Sequence, residues 1–140
     1  DRIDLAIDVP ALPPDEIAIG SADPAAEPSS RVRERVTEAR ARQIERQGVL
    51  NARLTVADLQ RHGVPDDEAR ALATRAMARY ALSARSYHRI LKVARTIADL
   101  AGAGTVAAAH VAEAISMRRL DAPAEFDPAA AGQLTGAKSR

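Results

Sequence analysis

Apolar positions recur at helical spacing through the middle of the chain. Between residues 66 and 80 they lie three or four positions apart, at Ala69, Leu72, Ala73, Ala76, Met77 and Tyr80. This spacing places the six side chains on one face of an α-helix. A second set repeats it at Tyr87, Ile90, Leu91, Ala94, Ile97 and Ala98. The pattern therefore predicts two amphipathic helices packed through these faces, with a shorter apolar helix after residue 105.

Capping residues set the boundaries that we expect for the helices. Thr55 and Asp58 are spaced as in a capping box, which predicts a short helix to about Arg61. Acidic residues at 66–68 favour the start of a longer helix, because they complement the positive end of the helix dipole. The other predicted N-caps are Ser29 or Ser30, Ser83 and Thr105.

An earlier helix, running to about Gln47 and ended by Gly48, is predicted to be different in character. Its apolar stripe is thin, formed by Val32, Val36 and Ala39, with Ile44 as a further candidate. Between Arg31 and Arg46 it carries six arginines and three glutamates. Such a helix is expected to lean on a partner surface or to bridge two bodies rather than to sit in a core.

Residues 2–9 have a period of two instead. Ile3, Leu5, Ile7 and Val9 share one face, which predicts a half-buried β-strand that Pro10 ends. The pattern predicts no second strand downstream, and one strand cannot satisfy its backbone groups alone. We therefore expect it to belong to a sheet of a larger protein, with pairing between two copies as the alternative. The predicted organisation is a last core strand and linker at 1–30, a charged helix and bundle at 31–120, and a disordered tail at 121–140.

Composition agrees with a mainly α fold and excludes several functions. Hydrophobic residues make up 46% of the chain, with one Phe, two Tyr, no Trp and no Cys. Small aliphatic side chains suit closely packed helices, and the absence of cysteine excludes disulfides and thiol catalysis. The net charge of +1 creates no strong overall field. We expect no membrane partner, because no apolar run is long enough to span a bilayer, and a cytoplasmic location, which the absence of cysteine fits.

Arginine is the remaining source of chemistry. The sequence has no glycine-rich phosphate loop and no serine nucleophile motif, and its three histidines are scattered, so no metal site is predicted. The face opposite the second apolar stripe carries Arg85, His88, Arg89, Lys92 and Arg95, and no acid follows until Asp99. Like charges one turn apart are unfavourable. An anionic partner and a solvated arginine face both explain this pattern.

Four stretches of the sequence resemble one family. They are Asp-Arg-Ile-Asp-Leu at 1–5, Arg-Gln-Gly-Val-Leu-Asn-Ala-Arg-Leu at 46–54, the helix from Leu82 to Gly102, and Ala-Glu-Ala-Ile-Ser-Met-Arg-Arg-Leu-Asp at 112–121. Together they resemble the C-terminal part of the magnesium-chelatase-like AAA+ ATPases, in particular the ComM/YifB branch. The linker at 10–30 departs from the family in length and composition. The fold implied is a small helical bundle, the C-terminal lid of an AAA+ ATPase, preceded by the orphan strand and the charged helix.

The resemblance also implies roles for two arginines. Arg2 matches the arginine finger, which acts in trans on the γ-phosphate bound by a neighbouring subunit. Arg85 matches the second sensor (sensor 2), which touches the γ-phosphate of ATP in its own subunit. ATP and Mg²⁺ are the implied ligands of the whole protein, with neither expected on this chain alone. The chain alone is therefore expected to be inactive, and Arg89, Lys92 and Arg95 are expected to be interface or solvated charges.

The partners implied are the AAA+ core upstream of the chain, neighbouring subunits of a homo-oligomeric ring, and DNA. Members of the branch resemble helicase-type motors that work on DNA during recombination. Two alternatives remain open. One is the lid of the ATPase subunit that drives magnesium insertion into porphyrins, and the other is a stand-alone helical module that binds nucleic acid or an acidic protein.

Overall fold

A computed structural model describes residues 4–11 and 27–118 of the chain. Within those ranges it contains five α-helices and one short 3₁₀ turn. They are α1 (Ser29–Gln47), the 3₁₀ turn (Asn51–Arg53), α2 (Val56–His62), α3 (Asp67–Arg79), α4 (Ala84–Leu100) and α5 (Ala108–Ser116). The mainly helical bundle predicted from the sequence is confirmed. The tail at 121–140 lies outside the described residues.

Helix α4 lies at the centre of the bundle. It contacts α1, α2 and α5, and α3 packs against α5. The main core is rich in alanine and small aliphatic residues, which lets the helices approach closely: Ala69, Ala73, Ile90, Ala94, Ala98, Val106, Val111 and Ala114. A smaller cluster of Leu54, Leu59 and Leu91 joins α2 to α4, and Tyr87 packs against both clusters. Residues from both predicted apolar stripes therefore form the core, whereas Met77 and Tyr80 at the end of the first stripe are only partly buried.

Several predicted helix ends are confirmed. The Thr55 hydroxyl accepts a hydrogen bond from the Asp58 amide at 3.2 Å, and the Asp58 carboxylate accepts one from the Thr55 amide at 3.1 Å. The Ser83 hydroxyl caps α4 by accepting from the Ser86 amide at 3.2 Å. Gly48 ends α1 in the left-handed conformation, with φ of 74°. That conformation strains residues with a side chain, which explains glycine here.

Two predicted caps are wrong. Helix α1 begins directly after Pro28, whose extended backbone occupies the N-cap position, so Ser29 and Ser30 lie in the first turn instead. Helix α5 does not begin at Thr105, because the next residue, Val106, is fully buried and forms a bridge with Pro65. Val106 is therefore held in the bridge and Ala107 is extended, so the helix starts after Ala107, whose amide donates to His110 Nδ1 at 3.0 Å.

The β-strand predicted at 2–9 is not present in its described part, residues 4–9. Ile7 and Val9 are 71% and 85% exposed, and no β-ladder includes this segment in the described part of the chain. A single extended segment has no neighbour with which to build a ladder, which accounts for the difference. The segment still contacts the bundle, since the Ala6 amide donates to the Met117 carbonyl at 2.7 Å. None of the described helices has the length and apolarity needed to cross a membrane.

Candidate functional site

The first turn of α4 carries the side chain that the sequence singled out as the second sensor. Ser83 fixes the start of the helix, and Arg85 follows at its second residue. Arg85 is exposed, and within the described ranges no ion pair or hydrogen bond engages its guanidinium. A cation is disfavoured at a helix N-terminus, where free N–H groups carry partial positive charge. This position is therefore suited to binding an anion through both the guanidinium and the N–H groups.

A groove of about 1080 Å³ runs along α4 beside Arg85. One wall is basic, formed by side chains of α4: Arg85, His88, Arg89 and Lys92. The remainder is largely apolar and comes from residues 4–7, from the segment leading into α2 and from the second half of α4, for example Leu5, Leu54, Val56 and Ile97. The groove thus combines an apolar lining with a few convergent charges, which is typical of small-molecule and cofactor sites.

The basic wall is already partly neutralised from within the chain. Arg89 Nε lies 2.7 Å from the Asp4 carboxylate, and the Arg89 side chain is 19% exposed. Lys92 reaches the carbonyl of Ala52 at 3.4 Å. The clustered charges indicated an anionic partner, and for Arg89 that partner is Asp4 of the N-terminal segment. Arg85, one turn earlier on the same face, is exposed and has no acidic partner among the described residues, so it stays available to an external anion.

Arg95 does not belong to this wall, which corrects the prediction that it is an interface or solvated charge. It is 1% exposed, and its guanidinium donates to the carbonyls of Gly104 at 2.8 Å and Ala103 at 2.5 Å. The 103–104 loop and α1 cover this edge of α4, which the spacing along one helix does not reveal. Burial lowers the pKa of Arg95, and the nearby charge of Asp99 opposes that shift.

Asp99 is the centre of a buried polar cluster that joins α1 to α4. The carboxylate is 1% exposed and accepts from Arg46 at 2.6 and 3.0 Å, from Asn51 Nδ2 at 2.8 Å and from Arg95 at 2.9 Å. Burial acts to raise the pKa of Asp99, but the hydrogen bonds from Arg46 and Asn51 and the two positive charges outweigh it and hold the pKa below the ordinary value. Charge-assisted bonds of this kind are strong when every partner is present.

Helix α1 divides into two halves with different surroundings. From Ala39 onwards it packs on the bundle, where Arg42 donates to the Asp99 carbonyl at 2.9 Å. Residues 27–38 are all exposed, including Val32 and Val36 at 38% and 42%. The sequence predicted that this helix leans on a partner surface. For the second half of the helix, that surface is the bundle of the same chain. Its first half carries the exposed Arg31, Arg33 and Arg35.

The structure places one of the two predicted site residues. Arg85 lies at the groove, whereas Arg2 falls outside the described residues. Sequence reasoning missed Asp4, Asn51 and Asp99. A signal for Asp99 existed, since it is the first acid after a long basic stretch. Within residues 4–11 and 27–118, no three histidine or acidic side chains converge in a way that fits a metal ion.

Comparison with known proteins gives the chain a family. A family model described as magnesium chelatase, subunit ChlI C-terminal, matches residues 26–118. The chain is 40% identical over 120 residues to competence protein ComM of Haemophilus influenzae, covering 86% of this chain and 23% of that protein. It is 42% identical to protein YifB of Salmonella typhimurium over 122 residues and 37% identical to YifB of Escherichia coli over 121, each covering 86% of this chain and 24% of the relative.

These matches confirm the resemblance to the ComM/YifB branch that the sequence motifs indicated. The chain spans about a quarter of the length of the curated relatives that it matches. The family model covers the whole helical bundle, from the start of α1 to the end of α5. The chain therefore belongs to the family of magnesium chelatase ChlI C-terminal domains.

Proposed function

We propose that this chain is the nucleotide-sensing lid of a larger, ring-forming AAA+ ATPase of the ComM/YifB type. The observation that carries the proposal is the position of Arg85. It is exposed at the first turn of α4, it lines a large groove, and the described residues leave its guanidinium without a partner. The match over residues 26–118 to the magnesium chelatase ChlI C-terminal family supports the assignment of the bundle as a lid.

In this proposal Arg85 contacts the γ-phosphate of ATP bound by the same subunit. The guanidinium fits a phosphate because its planar N–H donors match phosphate oxygens, and the start of α4 adds free backbone N–H groups. Loss of the γ-phosphate on hydrolysis removes that contact, so the lid changes its position with the nucleotide state. Mg²⁺ neutralises phosphate charge in such reactions. The described residues contain no cluster that fits this ion, so we place its ligands in the rest of the protein.

Arg2 is proposed to act as an arginine finger on the nucleotide of a neighbouring subunit. An arginine in that role stabilises charge that develops on the transferred phosphoryl group and accelerates hydrolysis by about 10³- to 10⁵-fold in GTPases. The assignment implies that the working protein is a homo-oligomeric ring. In mixed rings, subunits with Arg2→Ala should regain turnover when their neighbours supply an intact finger but cannot themselves bind ATP. Rings that regain nothing would exclude action in trans.

DNA is proposed as the substrate of the motor. The support is the similarity to the protein named competence protein ComM, together with the exposed arginines on the first half of α1. A second candidate is the lid of a magnesium chelatase ATPase subunit, which the description of the matching family favours. Stimulation of the full-length ATPase by DNA, weakened by salt, would support the first candidate. Stimulation only by a porphyrin-bearing chelatase complex would support the second.

The reading frame that encodes this chain provides the simplest test of the ATPase assignment. It should also encode an upstream AAA+ core with a glycine-rich phosphate loop, since the chain itself has none. The 140-residue chain alone should bind neither ATP nor DNA tightly. A stable monomer of this chain that binds DNA tightly and in a salt-dependent way would instead favour a stand-alone binding module.

A further inference from the structure

Two polar contacts between described residues attach the segment at 4–11 to the bundle. The Asp4 carboxylate lies 2.7 Å from Arg89 Nε on α4, and the Ala6 amide donates to the carbonyl of Met117 at 2.7 Å. Met117 is the C-cap residue directly after α5, where carbonyls lack partners within the helix. The segment therefore bridges the middle of one helix and the end of another, while Ile7 and Val9 beyond it stay largely exposed.

The two contacts lie next to the two arginines that the proposed function assigns to nucleotides. Asp4 follows Arg2 with one residue between them, and Arg89 follows Arg85 by one helical turn. Residues four positions apart on a helix are neighbours, with Cβ atoms about 5–6 Å apart. The pair Asp4–Arg89 thus joins the segment that carries the proposed finger to the helix face that carries the proposed sensor.

We propose that Asp4 and Arg89 are positioning residues that couple these two arginines, so that the nucleotide state read by Arg85 is passed to the finger acting on the neighbouring subunit. The inference rests on the proposed function and deepens it. A γ-phosphate held by Arg85 would lie in the groove that Asp4 also lines, and two anions in one groove repel each other. Bound ATP therefore weakens the attachment of the segment, and loss of the γ-phosphate restores it.

The exposure of the pair suits a switch. The side chain of Asp4 is 50% exposed and that of Arg89 is 19% exposed. Because the Asp4 carboxylate is half exposed, solvent screens this pair more than it screens the buried cluster around Asp99. A coupling between two sites requires that each ligand change the free energy of a shared element. Here the shared element is the docked segment, whose attachment both the nucleotide and the finger position influence.

The first test measures the contact itself in the 140-residue chain. Amide hydrogen exchange, followed by NMR, should show the Ala6 amide protected, because it is bonded to Met117. Asp4→Lys or Arg89→Glu should each increase its exchange rate several-fold, and the double reversal should restore most of the protection. The control is Asp67→Lys, which disturbs an exposed pair with Arg70 elsewhere. An Ala6 amide that exchanges as in an unfolded chain, or that ignores the reversals, overturns the proposal.

The second test measures coupling in the full-length protein. Either single reversal should abolish the cooperative dependence of turnover on ATP concentration, lowering the Hill coefficient to about one, while the Kd for ATP changes less than about threefold. The double reversal should restore cooperativity. If the single reversals keep normal cooperativity while Arg85→Ala blocks turnover, the coupling is wrong and the proposed function stands. If Arg85→Ala leaves turnover unchanged, both are wrong.

Discussion

Arg46 donates hydrogen bonds to both carboxylate oxygens of Asp99, at 2.6 and 3.0 Å, across 53 residues of sequence. This bidentate pair fixes the end of α1 against the second half of α4. Asn51 closes the arrangement, because its side chain donates to Asp99 at 2.8 Å and accepts from Arg46 at 3.1 Å. The charged helix and the helix that carries Arg85 therefore form one body.

Asp99→Ala should strongly destabilise the bundle. Removing the carboxylate leaves the buried Arg95 without its counter-charge, and breaking a buried pair in this way costs about 3–5 kcal/mol. The whole stability of a small domain is about 5–15 kcal/mol, so the variant should lose a large fraction of it. Urea unfolding followed by circular dichroism measures the loss. Asp67→Ala is the matched control: the side chain of Asp67 is 99% exposed, and the unfolding midpoint should hardly move.

Stability should also fall in acid through Asp99. Its pKa in the folded chain is held below the ordinary aspartate value of about 3.9. The unfolded chain therefore takes up the proton first, and the contribution of Asp99 is fully present above about pH 4 and is lost as the pH falls through the folded pKa. Unfolding at several pH values should show the difference between wild type and Asp99→Ala shrinking below about pH 4. A difference that is constant down to pH 2 would contradict the assignment.

Ser83→Ala should destabilise the start of α4. The hydroxyl accepts from the Ser86 amide, and losing an N-cap of this kind costs about 1 kcal/mol. The first turn, which presents Arg85, should then show faster amide exchange than the rest of the helix. Ser83→Asn keeps a capping oxygen and should stay close to wild type. Equal stability of the alanine and asparagine variants would show that the cap contributes nothing.

Gly48→Ala should cost about 1–2 kcal/mol of unfolding free energy. The cause is backbone strain and not crowding, since φ at Gly48 is 74° and a Cβ there would meet no atom within 4 Å. Gly104→Ala is the control, because a Cβ at that position also meets open space and the backbone has no positive φ. Thermal unfolding of the two variants separates the effects. A melting temperature lowered equally in both would exclude strain at Gly48 as the reason.

The spacing of apolar residues and the capping residues predicted most of the fold. The faces of α3 and α4 followed from apolar spacing, and Ser83 and the Thr55–Asp58 pair began helices as their side chains predicted, because these signals act within one or two turns. Thr105 failed as a cap because Val106 is drawn into the core and bridges Pro65. Contacts with a distant part of the chain overrode the local preference.

Local signals and distant contacts also differ in how well they could be predicted at the candidate site. Arg85 was predicted to be a site residue from its position at a capped helix start and from family resemblance. In the structure it is exposed and lines the groove. Arg95 was predicted on the same outer face and is instead buried, because α1 and the 103–104 loop cover that edge of α4. The pair Asp4–Arg89 was also missed, since it depends on where the N-terminal segment docks. The spacing of charged residues along one helix does not show which of them pair with distant residues of the same chain and which remain available to a ligand.

The proposed contact of Arg85 with the γ-phosphate can be tested directly in the full-length protein. The direct measurement compares ATP affinity and steady-state turnover in the full-length protein for wild type, Arg85→Ala and Arg75→Ala, the last being an exposed arginine on α3 away from the groove. We predict that Arg85→Ala binds ATP within about threefold of wild type while its turnover falls at least about 100-fold, a loss of about 2.7 kcal/mol of transition-state stabilisation. Arg75→Ala should match wild type in both. Unchanged turnover in Arg85→Ala would contradict the account.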